Sequence, residues 1–291
     1  MKPIAESELI LNKDGSVYHL HLLPDDLADT VITVGDPDRV PRVSRYFDTI
    51  ELKKSKREFV THTGTINGRR ITVMSSGIST DNIDIVLNEL DALVNIDLKA
   101  RLPKTQLRKL NIIRIGTSGT IQADIPVDSL LVSKAAFGLD TLMHYYKRNI
   151  NGSEQQLLDA LNQVLPKESG FVLYVASADT ELIAKLGYDI LQGITFTAPG
   201  FYAPQGREVR AHTAHPEFMN ALQQFNLNGQ RITNLEMETA GIYGLSAVLG
   251  HRAISFNVIL ANRSTQTFSK QPEKIVDNYI RQLLERIADI L

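Results

Sequence analysis

The sequence predicts an α/β fold, one domain over residues 1–291 whose central sheet is covered by helices on both faces. Two observations predict it. Short apolar runs rich in β-branched residues end in glycine loops, apolar residues at helical spacing follow, and this strand, loop, helix unit recurs along the chain. The strand candidates are also continuous apolar runs, as in a sheet buried on both sides.

Val31 to Val34 stops at Gly35-Asp36-Pro37, and Arg39, Val40, Val43 and Phe47 follow at helical spacing. Phe59 to Ile66 and Arg70 to Ser75 flank Asn67-Gly68, a dipeptide suited to the paired positive φ of a type I′ turn, so a hairpin is expected. Gly77 to Asp81 opens a helix whose Ile83, Val86, Leu87, Leu90 and Val94 share one face, with Thr80 or Asp81 near its cap. Lys99 to Lys109 is basic, contains Pro103 and lacks a period, which reads as a surface connection or a ragged helix end. Ile112 to Ile115 is a strand closed by Gly116-Thr117-Ser118-Gly119. Ser129 to Ser133 and Phe171 to Ser177 are further strands, and Glu154 to Leu165 is a helix. Ile232 to Leu235 leads through Glu236-Met237-Glu238 into a helix over Thr239 to Leu249. The strand Ala253 to Leu260 and an amphipathic helix from Pro272 to Leu291 close the chain. No internal repeat, low-complexity tract or domain linker interrupts this order.

Composition narrows the function. Cysteine is absent, which excludes disulfides, thiolate nucleophiles and cysteine-ligated metal sites. Lys and Arg number 31 against 33 Asp and Glu, a formal charge of −2, so the basic excess of a general nucleic-acid or anionic-membrane binder is missing. No apolar run approaches the ~20 residues of a membrane helix, and the N-terminal stretch lacks a signal-peptide pattern, so the expected location is the cytoplasm.

Ligands of open α/β sheets sit outside the carboxyl ends of the strands, so the loops after strands are where chemistry is expected. Gly35-Asp36-Pro37-Asp38-Arg39, Gly77 to Asp81 and Arg114 to Gly119 each combine glycine with hydrogen-bond donors. Exposed N–H groups, hydroxyls and guanidinium forks together favour a tetrahedral oxyanion such as phosphate. Neither GxGxxG nor GxxxxGK[ST] occurs, so a dinucleotide or P-loop nucleotide is unsupported. Arg114, inside an apolar strand, requires a ligand or a structural ion pair. Glu236 and Glu238 flank Met237 at a strand-to-helix junction, where carboxylates either accept vicinal sugar hydroxyls or cap the helix. Phe201 to Arg207 is a loop bounded by Pro199 and Gly200, in which Gln205 and Arg207 offer an acceptor and donors for a ring with carbonyl and imide edges, with an aromatic to stack on it.

In this order, GDPDR, SKREF, SSGI, RIGTSG, QGR, NLEMETA and NRS resemble the nucleoside phosphorylase family, and its uridine phosphorylase branch in particular. The match runs from about Tyr18 to Arg263. The resemblance implies a three-layer α/β sandwich around a mixed, partly barrel-like sheet. It implies that Gly35, Arg39, Arg114 and Thr117 bind phosphate, with Arg57 of SKREF reaching the same anion from a neighbouring subunit. His19 would likewise cross an interface to the ribose, beside Glu236, Met237 and Glu238. Phe201, Gln205, Arg207 and Arg263 would form the base pocket. Arg39, Arg114, Glu238 and Arg207 carry the chemistry in this scheme.

A homodimer or trimer of dimers with shared sites follows from the crossing residues, with nucleoside and phosphate as the small-molecule partners and neither nucleic acid nor membrane. No resident metal or cofactor is implied; phosphate is the co-substrate, and a monovalent cation near Glu58 and Asn82 is the one candidate ion. Two departures stand out. The family's GIGxPS-like stretch reads Gly77-Ile78-Ser79-Thr80-Asp81-Asn82 here, and Ile96 to Lys109 is longer than in compact bacterial members. The implied reaction is reversible cleavage of uridine by phosphate into uracil and ribose 1-phosphate. A purine nucleoside phosphorylase is the nearest alternative, disfavoured because Ala261-Asn262-Arg263 stands where an acid would protonate a purine. A nucleoside hydrolase and a non-catalytic nucleoside-binding protein are the others.

Overall fold

A computed structural model describes residues 2–291, and its sheet grows from the runs just named. The first wing holds β1 (Thr30–Val34), β2 (Thr49–Lys56), β3 (Phe59–Ile66) and β4 (Arg69–Ser75). β1 runs parallel to β4, while β4, β3 and β2 are antiparallel. Asn67 and Gly68 take φ of 49° and 74°, as the expected hairpin turn requires. A separate two-stranded hairpin pairs β5 (Ile96–Asp97) with β6 (Leu102–Pro103). Beyond it come β7 (Asn111–Thr120), β8 (Leu130–Gly138), β9 (Tyr174–Ser177) and β10 (Leu191–Thr197), then β11 (Asn226–Leu227), β12 (Gln230–Glu236), β13 (Arg252–Asn262) and β14 (Thr267–Phe268).

β7 lies parallel to β1 on one side and to β13 on the other. From β13 the sheet continues to β8, β10 and β12. β12 then returns antiparallel to β7 through Asn234 opposite Thr120 and Leu235 opposite Gly119, which closes a barrel. The mixed, partly barrel-like sheet is therefore as expected.

Helices cover it in layers. α2 (Thr80–Asn95) and α6 (Thr239–Leu249) bury Val86, Leu87, Leu90, Tyr243 and Leu245 in one core. α1 (Arg39–Ser44), α4 (Thr180–Leu186) and α7 (Pro272–Ile290) seal the other face with Val40, Val43, Leu182, Leu186 and the Val276, Ile280, Leu283, Ile287 stripe. Against the barrel, α3 (Gly152–Val164) and α5 (Phe218–Gln224) pack Leu157, Leu161, Phe218 and Leu222 onto Phe137 and Phe196. All of β1 is buried, in keeping with a strand covered on both faces.

Several elements depart from the sequence expectation. Gly116 to Gly119 does not end a strand; β7 runs through it to Thr120 and carries the barrel closure. Lys99 to Lys109 is neither plain connection nor helix end, since part of it forms the β5–β6 hairpin. The cap of α2 is Ser79, with φ of 83° and no side-chain cap bond, and Thr80 and Asp81 follow as its first two residues, near the cap as expected. α4, α5 and β10 were not anticipated. In β10 the interrupting Gly193 is required by close strand approach, because a Cβ there would sit 2.2 Å from Thr233 Oγ1. The basic run Lys53 to Lys56 lies in β2, the edge strand, where lysine discourages edge-to-edge pairing.

Candidate active site

The carboxyl ends of β1, β4, β7, β12 and β13 open onto one cavity of about 740 Å³. Gly35, Arg39, Arg114, Thr117, Glu236, Met237, Glu238, Phe201, Gln205 and Arg207 all line it, so the motifs read separately in the sequence meet in one place. Arg263 supports the wall from behind, donating to the carbonyls of Gln205 and, at 3.0 Å, Gly206.

Arg39 opens α1, directly after a turn in which Asp36 Oδ1 accepts from Asp38 N at 2.9 Å. Its Nε is buried and has no partner among the described residues. Burial, and then the charge of Arg114, lower the Arg39 guanidinium from its ordinary pKa. Two guanidinium groups facing one cavity in this way are stabilised by a shared anion.

Arg114 lies almost fully buried on β7 and folds back over Gly116, where a Cβ would come within 2.0 Å of Nη1. Its Nη2 donates to Glu238 Oε2 at 2.6 Å and lies 3.2 Å from Glu236 Oε2, and its Nη1 donates to Asn257 Oδ1 at 2.9 Å. Burial works against its charge, but Glu236 and then Glu238 outweigh that and raise its pKa. The ion pair anticipated for Arg114 is present in the free protein, and the residue lines the cavity as well. Gly116→Ala should therefore fold yet displace the guanidinium, weakening phosphate binding by about tenfold in a calorimetric titration.

The two acids differ. Glu236 Oε2 accepts from Glu238 N at 2.9 Å and from Thr239 N and Oγ1 at 2.8 Å each, so the start of α6 takes up that oxygen, while Oε1 accepts from Thr197 Oγ1 of β10 at 2.5 Å. Glu238 accepts from Ser79 N at 2.9 Å and from Arg114, and each of its oxygens keeps a lone pair. Burial first, with the neighbouring Glu236 charge adding, raises the Glu238 carboxyl against the pull of Arg114.

In the 201–207 loop, Arg207 Nη1 donates to Gln205 Oε1 at 2.7 Å and to the Phe201 carbonyl at 2.6 Å. Its guanidinium stacks 3.9 Å over the Phe201 ring. Gly206, at φ of 65°, makes the turn. Burial, then Arg263, lowers the Arg207 guanidinium.

His19 and Arg57 do not line the cavity of their own chain. The His19 ring sits 2.7 Å from Glu89, whose carboxylate also accepts the His19 and Leu20 N–H groups. Arg57 occupies the exposed β2–β3 turn with φ of 56°. Ser118, Gly119, Leu260 and Phe268 line the cavity without having been singled out. Ser118 and Gly119 stood inside a recognised motif; Phe268 carries no sequence signal, because only the β13–β14 pairing brings it to the rim.

The family model of the phosphorylase superfamily matches residues 29–291. The chain belongs to this family. Within the superfamily it is 32% identical over 269 residues to a uridine phosphorylase of Thermococcus kodakarensis, covering 90% of this chain and 83% of that one. A crystal structure of a Trypanosoma brucei nucleoside phosphorylase, which shows uridine phosphorylase activity, superposes with a TM-score of 0.88 at 30% identity, over 97% of this chain and 99% of that one. A DeoD-type purine nucleoside phosphorylase of Colwellia psychrerythraea is 26% identical over 272 residues, 92% of this chain and 98% of the relative. Both base classes thus occur among the superfamily relatives, and the base pocket has to decide between them.

Proposed function

We propose that the protein is a pentosyltransferase that cleaves uridine reversibly with phosphate, giving uracil and ribose 1-phosphate. One observation carries this reading: a single cavity presents Arg39 and Arg114, an under-committed carboxylate on Glu238, and the Gln205–Arg207 pair. Phosphate held by Gly35, Arg39, Arg114 and Thr117 is the nucleophile at C1′ and the counter-charge to the developing oxocarbenium ion. Glu238 accepts the ribose hydroxyls, and Met237 packs beneath the sugar. Because Arg207 occupies one lone pair of Gln205 Oε1, the other accepts the uracil imide N–H while Gln205 Nε2 and the remaining Arg207 donors hold the carbonyls. These contacts strengthen as the base departs with negative charge, so leaving-group stabilisation does not require a strong acid.

The pocket supports a pyrimidine over a purine. Ala261 presents no acid to the cavity, and the Asn262 amide is turned away, donating to the carbonyls of Gln122 at 3.0 Å and Ile125 at 2.8 Å. His19 and Arg57 complete the site of a neighbouring subunit, in a dimer or trimer of dimers, which accounts for two basic groups standing outside their own cavity. Glu58 and Asn82, both on the cavity wall beside Gly77, supply oxygen donors suited to a monovalent cation. No described helix is long and apolar enough to cross a membrane, and the cytoplasm remains the proposed location.

Incubation of the purified protein with uridine should release uracil only when phosphate is present, and inosine should remain uncleaved. Release without phosphate would indicate a hydrolase, cleavage of inosine a purine enzyme, and no release from any nucleoside a binding protein.

A further inference from the structure

Inside the barrel a belt of side-chain hydrogen bonds begins and ends on β7. Arg114 Nη1 donates to Asn257 Oδ1 at 2.9 Å, and Asn257 Nδ2 donates to Ser133 Oγ at 2.9 Å. Ser133 Oγ lies 2.5 Å from Thr195 Oγ1, which donates to Asn234 Oδ1 at 2.9 Å. Asn234 Nδ2 then donates to Ser118 Oγ at 3.0 Å. The belt crosses β7, β13, β8, β10 and β12 and so passes once round the closed barrel. Strand register explains the geometry. Asn257 stands opposite Gly116, over which the Arg114 side chain lies, Ser133 opposite Gly193, and Thr195 opposite Asn234.

Asn257, Ser133, Thr195 and Asn234 have no exposed surface. Polar groups so placed are costly unless every one is satisfied, and a satisfied network holds its members in one arrangement. The direction of this network is also fixed. A guanidinium has no acceptor, so Asn257 turns its oxygen to Arg114 and its N–H₂ to Ser133; Thr195 spends its one proton on Asn234 Oδ1, which leaves Ser133 as the donor between the two hydroxyls. At the far end Ser118 Oγ accepts, which leaves its own proton uncommitted by the belt. Both ends, Arg114 and Ser118, line the cavity.

We infer that the belt is a positioning device: Asn257 sets the Arg114 guanidinium for an anion, and the polarity passed along the belt turns the Ser118 hydroxyl proton into the cavity. The identity of the anion as phosphate rests on the function proposed above, but the measurement does not rest on turnover. Asn257→Leu keeps the volume and removes the acceptor. Thr195→Val removes one hydroxyl at the belt's midpoint without touching Arg114, and Thr195→Ser restores it.

Phosphate titration by calorimetry should show about tenfold weaker binding in Asn257→Leu, about threefold weaker in Thr195→Val, and wild-type affinity in Thr195→Ser. In steady state the KM for phosphate should follow these changes while the KM for uridine holds. Wild-type phosphate affinity in Asn257→Leu, equal losses in the two Thr195 variants, or parallel movement of both KM values would overturn the inference. If Asn257→Leu fails to fold, the Thr195 pair decides alone. Wild-type protein that binds phosphate with these differences but releases no uracil sinks the uridine proposal and keeps the belt; uracil release with no differences does the reverse. Failure to bind phosphate at all removes both.

Discussion

Arg114→Met should lower uridine phosphorolysis by about 10³-fold, since it removes at once the donor and the counter-charge proposed for the phosphate nucleophile. The same change should cost about 3–5 kcal/mol of stability, because Glu238 and Glu236 are left buried with a partner missing. These two losses are separable. In Arg114→Met/Glu238→Met both members of the 2.6 Å pair are gone, while Glu236 keeps its bonds to Thr197, Glu238 N and Thr239. Urea unfolding should then recover most of the lost stability, and activity should stay at the level of the single variant. A single variant that keeps its phosphate affinity would mean that Arg114 serves only as structural pairing.

Arg207→Ala should reduce kcat/KM for uridine by about 10²-fold or more and leave phosphate binding within about twofold of wild type. The reason is local. Arg207 bonds Gln205 and stacks on Phe201, and none of its contacts reaches Arg39 or Arg114. Removing it frees the Gln205 amide to rotate and takes away the positive charge proposed to meet the departing uracil. An equal loss of phosphate affinity would withdraw the assignment of this loop to the base.

Much of the fold was readable because its strands are continuous apolar runs and its long helices α2 and α7 carry one apolar face, while α6 is apolar and buried all round from Thr239 to Ser246. What stayed hidden was set by tertiary contact. Gly193 argues locally against a strand, and only the approach of Thr233 from β12 demands it. In RIGTSG the glycines suggest a loop, yet Gly116 is small so that Arg114 can lie across it, and the strand runs on through Gly119, which stands opposite Leu235 of β12. The positive φ of Ser79 at the cap of α2 was not readable either, since its N–H is turned to Glu238 across the fold.

The site was legible as separate motifs whose convergence the fold supplies. The Glu236-Met237-Glu238 triplet had been open to a capping or a sugar-binding interpretation. Hydrogen bonding gives capping to Glu236 and leaves Glu238 with acceptor capacity. Asn257, Ser133, Thr195 and Asn234 could not be found from sequence, because each is one polar residue on a different strand and only barrel closure joins them.

The most direct test is the structure of the protein with inorganic phosphate. One anion should bind within about 3 Å of both the Arg39 and Arg114 guanidinium groups, with the unpaired Arg39 Nε donating to it. Arg39 and Arg114 turned to different places, or phosphate bound away from both, would contradict the account.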